Sequence, residues 1–199
     1  MVAVLHERHG GTMLSAETIT RKIEQGLLEW PGRLRGDALL LTLGSPLQPL
    51  AALGRQVIDL ADQESIDTLY GDAITDWTTY EMEPGAMLLG AVGQPLRLGA
   101  GVMGLIGGLS HLARVGLAVH VTSPFVLPGW NGYLTLELVN TGPAALRLHH
   151  GMPLGRLLIF ALDGAHSDEV APHRFYGRPV DLMSRYADEF TLRSEERRS

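Results

Sequence analysis

From Trp77 onward, glycine and proline punctuate the chain at nearly regular intervals. The markers are Pro84-Gly85, Gly93–Pro95, Gly99–Gly101, Gly107-Gly108, Pro128-Gly129, Asn131-Gly132, Gly142-Pro143 and Gly151–Pro153. Their spacing, about 8–12 residues, is too short for helices of ordinary length and suits strands joined by turns. The rhythm predicts a mainly β domain, a sandwich or a barrel. With 45% hydrophobic residues in 199, the chain is rich enough in apolar side chains to fold; a chain of this size hides roughly 70% of its unfolded surface.

Upstream, the sequence predicts one helix. Ser15 is a good N-cap, Glu17 falls in the first turn, Gly26 is a natural stop, and Leu14 with Ile19 has the spacing of a hydrophobic staple. Ile19 and Ile23 share a face, so the helix is expected over 16–25. Residues 34–43 read as a strand, or two short ones, ended by Gly44-Ser45-Pro46. The acidic stretch 53–76 (Asp59, Asp62, Glu64, Asp67, Asp72, Asp76) reads as a solvated loop face. Asn131-Gly132 reads as a tight turn between strands over 119–126 and 133–140. The division is a 1–12 extension, a 13–163 barrel domain, and a polar 164–199 arm expected to be mobile.

Several function classes drop out. No cysteine is present, which removes disulfides, thiolate zinc sites, cysteine nucleophiles and the zinc-dependent nucleobase deaminases. A net charge of −6 argues against a nucleic acid polymer as partner, though not against a small anion held by a few arginines. The apolar start is too short for a signal peptide. The longest uncharged run, 115–136, is broken by Pro124, Pro128 and Gly129, so no membrane span is expected and a cytoplasmic protein is. The His149-His150 and His6/His9 groups lack carboxylates at ligand spacing, so no metal site is read from them.

Three places carry candidate chemistry. Glu137 is a lone carboxylate in an alternating strand, Leu134–Asn140. It fits either a charge on the solvent face or a general base at a barrel mouth, its pKa raised by apolar surroundings. Gly107-Gly108 leads into Ser110 and His111, with Arg114 the only formal positive charge between Arg97 and Arg147. That segment suits an anion, or is a tight turn with a surface arginine. His120, in an apolar strand, reads as a satisfied core residue.

Together these stretches resemble a known family. MLSAETITRKIEQG, GLSHLARVGLAVHVTS and PGWNGYLTLELVNTGPAALRLHHGMPLGRLLIF are similar to the dCTP deaminase branch of the trimeric dUTPase superfamily, over residues 13–160. The resemblance implies a distorted β-barrel or jelly-roll (the dUTPase-like β-clip) with a short N-terminal helix, a homotrimer with sites between subunits, and a C-terminal arm closing over the nucleotide. It implies deamination of dCTP to dUTP and ammonia without zinc, with Mg²⁺ accompanying the triphosphate. Glu137 would activate water, Arg114 would orient Glu137, and Ser110 would stand at the active site. His111, Thr122, Ser123, Asn140, Arg185 and Tyr186 would contact the nucleotide.

The departures from the family pattern are specific. Leu109 and His111 replace the Arg and second Ser that serve the phosphates, and losing the arginine removes a bidentate contact. Leu127 replaces the Asp before Pro-Gly. Leu40 and Thr42 replace an Asp and an Arg, and Glu189 stands for the Gln of the arm. These substitutions keep further readings open: a catalytically degenerate paralogue that binds nucleotide or acts as a trimeric scaffold, a dUTP diphosphatase or bifunctional enzyme, and a substrate with fewer phosphates or a modified base.

Overall fold

The structure, a computed structural model, describes residues 11–51, 54–163 and 182–187. Its elements run β1 Thr12–Met13, α1 Ala16–Glu24, β2 Leu28–Glu29, β3 Leu39–Pro49, α2 Gln63–Asp67, β4 Thr79–Met82, β5 Met87–Val92, β6 Leu96–Leu98, β7 Val102–Gly108, α3 Ser110–Ala113, β8 Leu117–Val119, β9 Phe125–Val126, β10 Asn131–Gly132, β11 Thr135–Asn140, β12 Leu146–His149 and β13 Pro153–Ala161. The fold is mainly β, as its punctuation predicts. The largest sheet has the order β8-β11-β5-β3-β13-β7-β9, with β1 on β13. Strands β10-β6-β2 and β12-β4 form two smaller sheets.

The strand alternation makes the core. In β11, Leu136 and Leu138 point inward and are fully buried, while Thr135, Glu137 and Val139 point outward. Leu41, Leu88 and Leu157 fill the same core from β3, β5 and β13. Each such side chain contributes roughly 1.5–3 kcal/mol relative to exposure. Helix α1 closes one end. The Ser15 hydroxyl accepts the Thr18 N–H at 3.3 Å, Leu14 and Ile19 are buried, and Gly26 takes a φ of 68° where the helix stops.

Three expectations need correction. Gly44-Ser45-Pro46 does not end β3, which continues to Pro49 with a register shift between Leu43 and Leu47. A Cβ on Gly44 would lie 2.5 Å from the Gly93 Cα; two bare backbones pass in contact there, and the strand bends instead of stopping. Asn131-Gly132 is not a hairpin turn but β10, paired with Arg97 and Leu96 of β6. The segments flanking it go to different partners, β9 to β7 and β11 to β5 and β8, so no hairpin joins them.

The acidic stretch is more than a solvated face. It contains α2, capped by the Asp62 carboxylate accepting the Glu64 N–H at 3.0 Å, with Ile66 buried. It also anchors 182–187. Leu182 packs with Leu89 and Ala91 on the outer face of β5. The Ser184 N–H donates to the Tyr70 hydroxyl at 2.9 Å, and the Gln63 amide donates to the Ser184 carbonyl at 2.9 Å. The rest of the predicted arm, Glu189 included, and residues 1–10 lie outside the described residues.

Candidate active site

The β8–β11 pairing decides what surrounds Glu137. Val119 opposes Leu138, so the next residue, His120, comes level with Glu137, and its N–H donates to the Glu137 carbonyl at 2.9 Å. His120 has a φ of 71°, a left-handed conformation uncommon outside glycine, though histidine adopts it more often than most residues. It turns the chain out of the strand and brings Nδ1 to 2.7 Å from the Glu137 Oε2. The contact brings the imidazole and the carboxylate together as an ion pair. Nε2 meets the Ser123 carbonyl. The Val121 N–H donates to Oε2 at 3.3 Å.

Both ring nitrogens therefore face acceptors, which a neutral imidazole cannot satisfy together. The imidazolium is favoured. The Glu137 carboxylate raises the His120 pKa, burial opposes this, and the Ser123 carbonyl adds to it; the net shift is upward from 6.5. For Glu137, burial pushes the pKa up, but His120 and the Val121 N–H outweigh it and the net shift is downward from 4.5. The sequence-based expectation of a raised Glu137 pKa is corrected: the apolar walls are present, but a cation stands against the carboxylate.

The sign fixes a pH window. The raised His120 pKa stabilises the fold fully below about 6.5, and that contribution is lost as pH rises through the folded value. The lowered Glu137 pKa stabilises the fold above about 4.5, and that contribution is lost as pH falls. The pair contributes most between these limits. An NMR titration should put the His120 midpoint above 6.5 and bring it down in Glu137→Gln. An unchanged midpoint would refute the pairing.

The other predicted residues divide. Ser110, His111 and Arg114 are exposed on or beside α3, whose N-cap, Leu109, makes no side-chain capping bond. Glu137 pairs with His120 and not with Arg114. Thr122 and Ser123 are exposed in the loop after His120. Arg185 and Tyr186 follow the anchored Ser184, with Tyr186 exposed. Asn140 is held inside the scaffold. It is fully buried, donates to the Met82 and Ala144 carbonyls at 2.9 Å each, and accepts the Gly142 N–H at 3.0 Å. Both amide protons of its side chain are therefore taken up by the scaffold. Sequence reasoning missed His120; the signal was its place beside an antiparallel partner strand, visible only once β8 and β11 are paired.

Among the described residues, no group of three or more His, Asp or Glu could hold a metal ion. No helix among them is long and apolar enough to cross a membrane.

A curled antiparallel sheet carrying an outward carboxylate–imidazole pair defines a mainly β protein with a polar site on its surface. Comparison with known proteins narrows the class. The chain belongs to the dCTP deaminase-like family, whose model matches residues 13–162. It is 31% identical over 140 residues to the dCTP deaminase of Actinobacillus succinogenes, covering 67% of this chain and 72% of that protein. It is 36% identical over 104 residues to the dCTP deaminase of Shewanella amazonensis, covering 51% and 54%. The solved 2′-deoxycytidine 5′-triphosphate deaminase of Agrobacterium tumefaciens shares the fold at a TM-score of 0.56 and 18% identity, covering 76% of this chain and 48% of that one. The chain thus spans about half the length of the last two proteins.

Proposed function

We propose that the protein is a hydrolase that deaminates dCTP to dUTP and ammonia, with Glu137 as the proton-transfer group. The observation that carries this reading is a partly exposed Glu137, its pKa lowered, held by His120 and the Val121 N–H on the outer face of the sheet. A carboxylate in that state takes a proton from water as the oxygen attacks C4 of cytosine. That proton passes to the exocyclic nitrogen, the other proton of the water ends on N3 of the ring, the C4–N bond breaks, C4 keeps the water oxygen as its carbonyl, and ammonia leaves. The adjacent imidazolium keeps the carboxylate ionised while substrate displaces solvent. Ser110 and Arg114 serve the base, with Arg114 acting on substrate or on the site of another subunit. Thr122, Ser123 and His111 contact the nucleotide, as do Arg185 and Tyr186 of the arm, and Mg²⁺ arrives with the triphosphate.

Val121, Phe125 and Leu127, in the segment that follows His120, are exposed, apolar surface that another copy of the chain would cover. The family resemblance makes that assembly a homotrimer with sites between subunits. Sedimentation equilibrium should give about three times 21.6 kDa; a monodisperse monomer would overturn that part of the reading.

Product analysis tests the activity. Incubation with dCTP and Mg²⁺ should yield dUTP and ammonia. The alternative, a trimeric nucleotide-binding scaffold without turnover, is favoured by Leu109 and Leu127, apolar residues in two polar positions of the family pattern. It takes over if nucleotide binds and no product forms. Appearance of dUMP and pyrophosphate would make the enzyme bifunctional.

A further inference from the structure

The acidic stretch 53–76 meets the 182–187 segment close to Glu137, and strand register sets how close. On the outer face of the largest sheet, Gln48 of β3 opposes Leu89 of β5, and Leu89 opposes Glu137 of β11. His120 continues the row, its N–H on the Glu137 carbonyl. Side chains opposed across neighbouring strands stand about 4.5–5.5 Å apart. Leu182 packs on Leu89 and Ala91, so it is seated one strand away from Glu137.

A packed leucine holds the chain down but does not aim it, because apolar contact has no direction. The aim comes from hydrogen bonds two residues on. The Ser184 N–H donates to the Tyr70 hydroxyl at 2.9 Å, and the Gln63 amide donates to the Ser184 carbonyl at 2.9 Å. Both backbone groups of Ser184 are thus held by side chains of the acidic stretch. Those side chains are themselves fixed. The Gln63 Nε2 also donates to the Asp67 Oδ1 at 2.7 Å, one turn along α2. Tyr70 packs on the Leu89–Leu182 cluster and pairs through its backbone with Leu50, just past β3. The Gly71 N–H donates to the Pro49 carbonyl at 3.1 Å. Arg185 and Tyr186 follow directly. The Tyr186 N–H donates to the Ser184 Oγ at 3.3 Å while its ring is exposed, and Ala187 is buried beyond it.

We propose that Tyr70 and Gln63 are positioning residues, a clasp that grips both backbone groups of Ser184 and so presents Arg185 and Tyr186 beside Glu137 before substrate arrives. The inference rests on the reading of Arg185 and Tyr186 as substrate contacts and adds what holds them in place. A segment ordered in advance loses less entropy on binding. Loosening the clasp therefore lowers substrate affinity and leaves the chemistry at Glu137 alone.

Tyr70→Phe tests this, because it removes one hydroxyl and keeps the ring on Leu182. Without nucleotide, hydrogen exchange at the Ser184 amide, followed by NMR in the full chain, should quicken about fivefold, as expected for one lost hydrogen bond. Calorimetric titration with dCTP should show affinity weakened by about the same factor, and the rate at saturating dCTP should be unchanged. Gln63→Met, which loses the donor to the Ser184 carbonyl, should also weaken dCTP binding at an unchanged saturating rate. Gln56→Ala, at a side chain that bonds Thr68 within the same stretch, should match the parent. The clasp is overturned if Tyr70→Phe leaves Ser184 exchange unchanged, if exchange quickens while dCTP affinity holds, if only the saturating rate falls, or if the parent does not bind dCTP. Conversion of dCTP with a KM indifferent to Tyr70→Phe sinks the clasp alone. A parent that binds dCTP, weakens in Tyr70→Phe and yet forms no dUTP sinks the deaminase reading alone.

Discussion

Glu137→Gln is expected to lower the rate of dCTP deamination by about 10²–10⁴-fold, the range for removing a general acid–base group, with the fold intact. The amide matches the carboxylate in size and still accepts from the Val121 N–H, 3.3 Å from Oε2 in the parent. It cannot take a proton from water. It also removes the negative charge beside His120, so the imidazole should return toward its ordinary titration. Two readings of one variant, product formation by chromatography and the His120 titration, therefore test the base and its partner together. A variant within tenfold of the parent rate would show that Glu137 is not the proton acceptor. A dead variant with an unmoved His120 would keep the base and discard the pairing.

Asn140→Ala should destabilise the fold more than Glu137→Gln, and the loss should appear without substrate. The side chain holds two buried or part-buried carbonyls, of Met82 and Ala144, and the Gly142 N–H. It ties β11 to the end of β4 and to the turn that follows it. Alanine leaves the buried Met82 carbonyl without this partner, and also the part-buried Ala144 carbonyl and Gly142 N–H. Each unsatisfied buried polar group costs about 1–3 kcal/mol, and partial relaxation of the exposed turn returns some of it, so a net loss of about 3 kcal/mol is expected. Urea unfolding should show a lower midpoint with an unchanged slope. A shift under about 1 kcal/mol would mean that Asn140 is dispensable to the scaffold. The nucleotide role read from its motif would then stand alone.

Much of the scaffold was legible from local rules. The α1 boundaries follow from Ser15, Glu17 and Gly26, and the inward row of β11 follows from the alternation of Leu136 and Leu138. These signals act within a few residues and need no partner. Glu137 was legible as a candidate because a carboxylate in a run of β formers stands out by itself. His120 was not, because what distinguishes it is a neighbour 17 positions away in sequence and level with it in space. Asn131-Gly132 misled because its local chemistry suits a hairpin, and the choice between turn and strand was made by β6. Gly44-Ser45-Pro46 misled in the same way, because a stop signal was read where a close approach to Gly93 bends the strand.

The amino-acid sequence alone determined that this protein is mainly β, where its helix starts, which leucines face inward, and which family motifs it keeps. Those properties come from periodicity, capping and steric preference, all of short range. The tertiary structure decided the direction of the Glu137 pKa shift, the burial of Asn140 and the anchoring of Leu182. Each depends on the register between strands distant in sequence. Pairing side chains shifts pKa values and fills or frees hydrogen-bond capacity only when those strands are laid side by side.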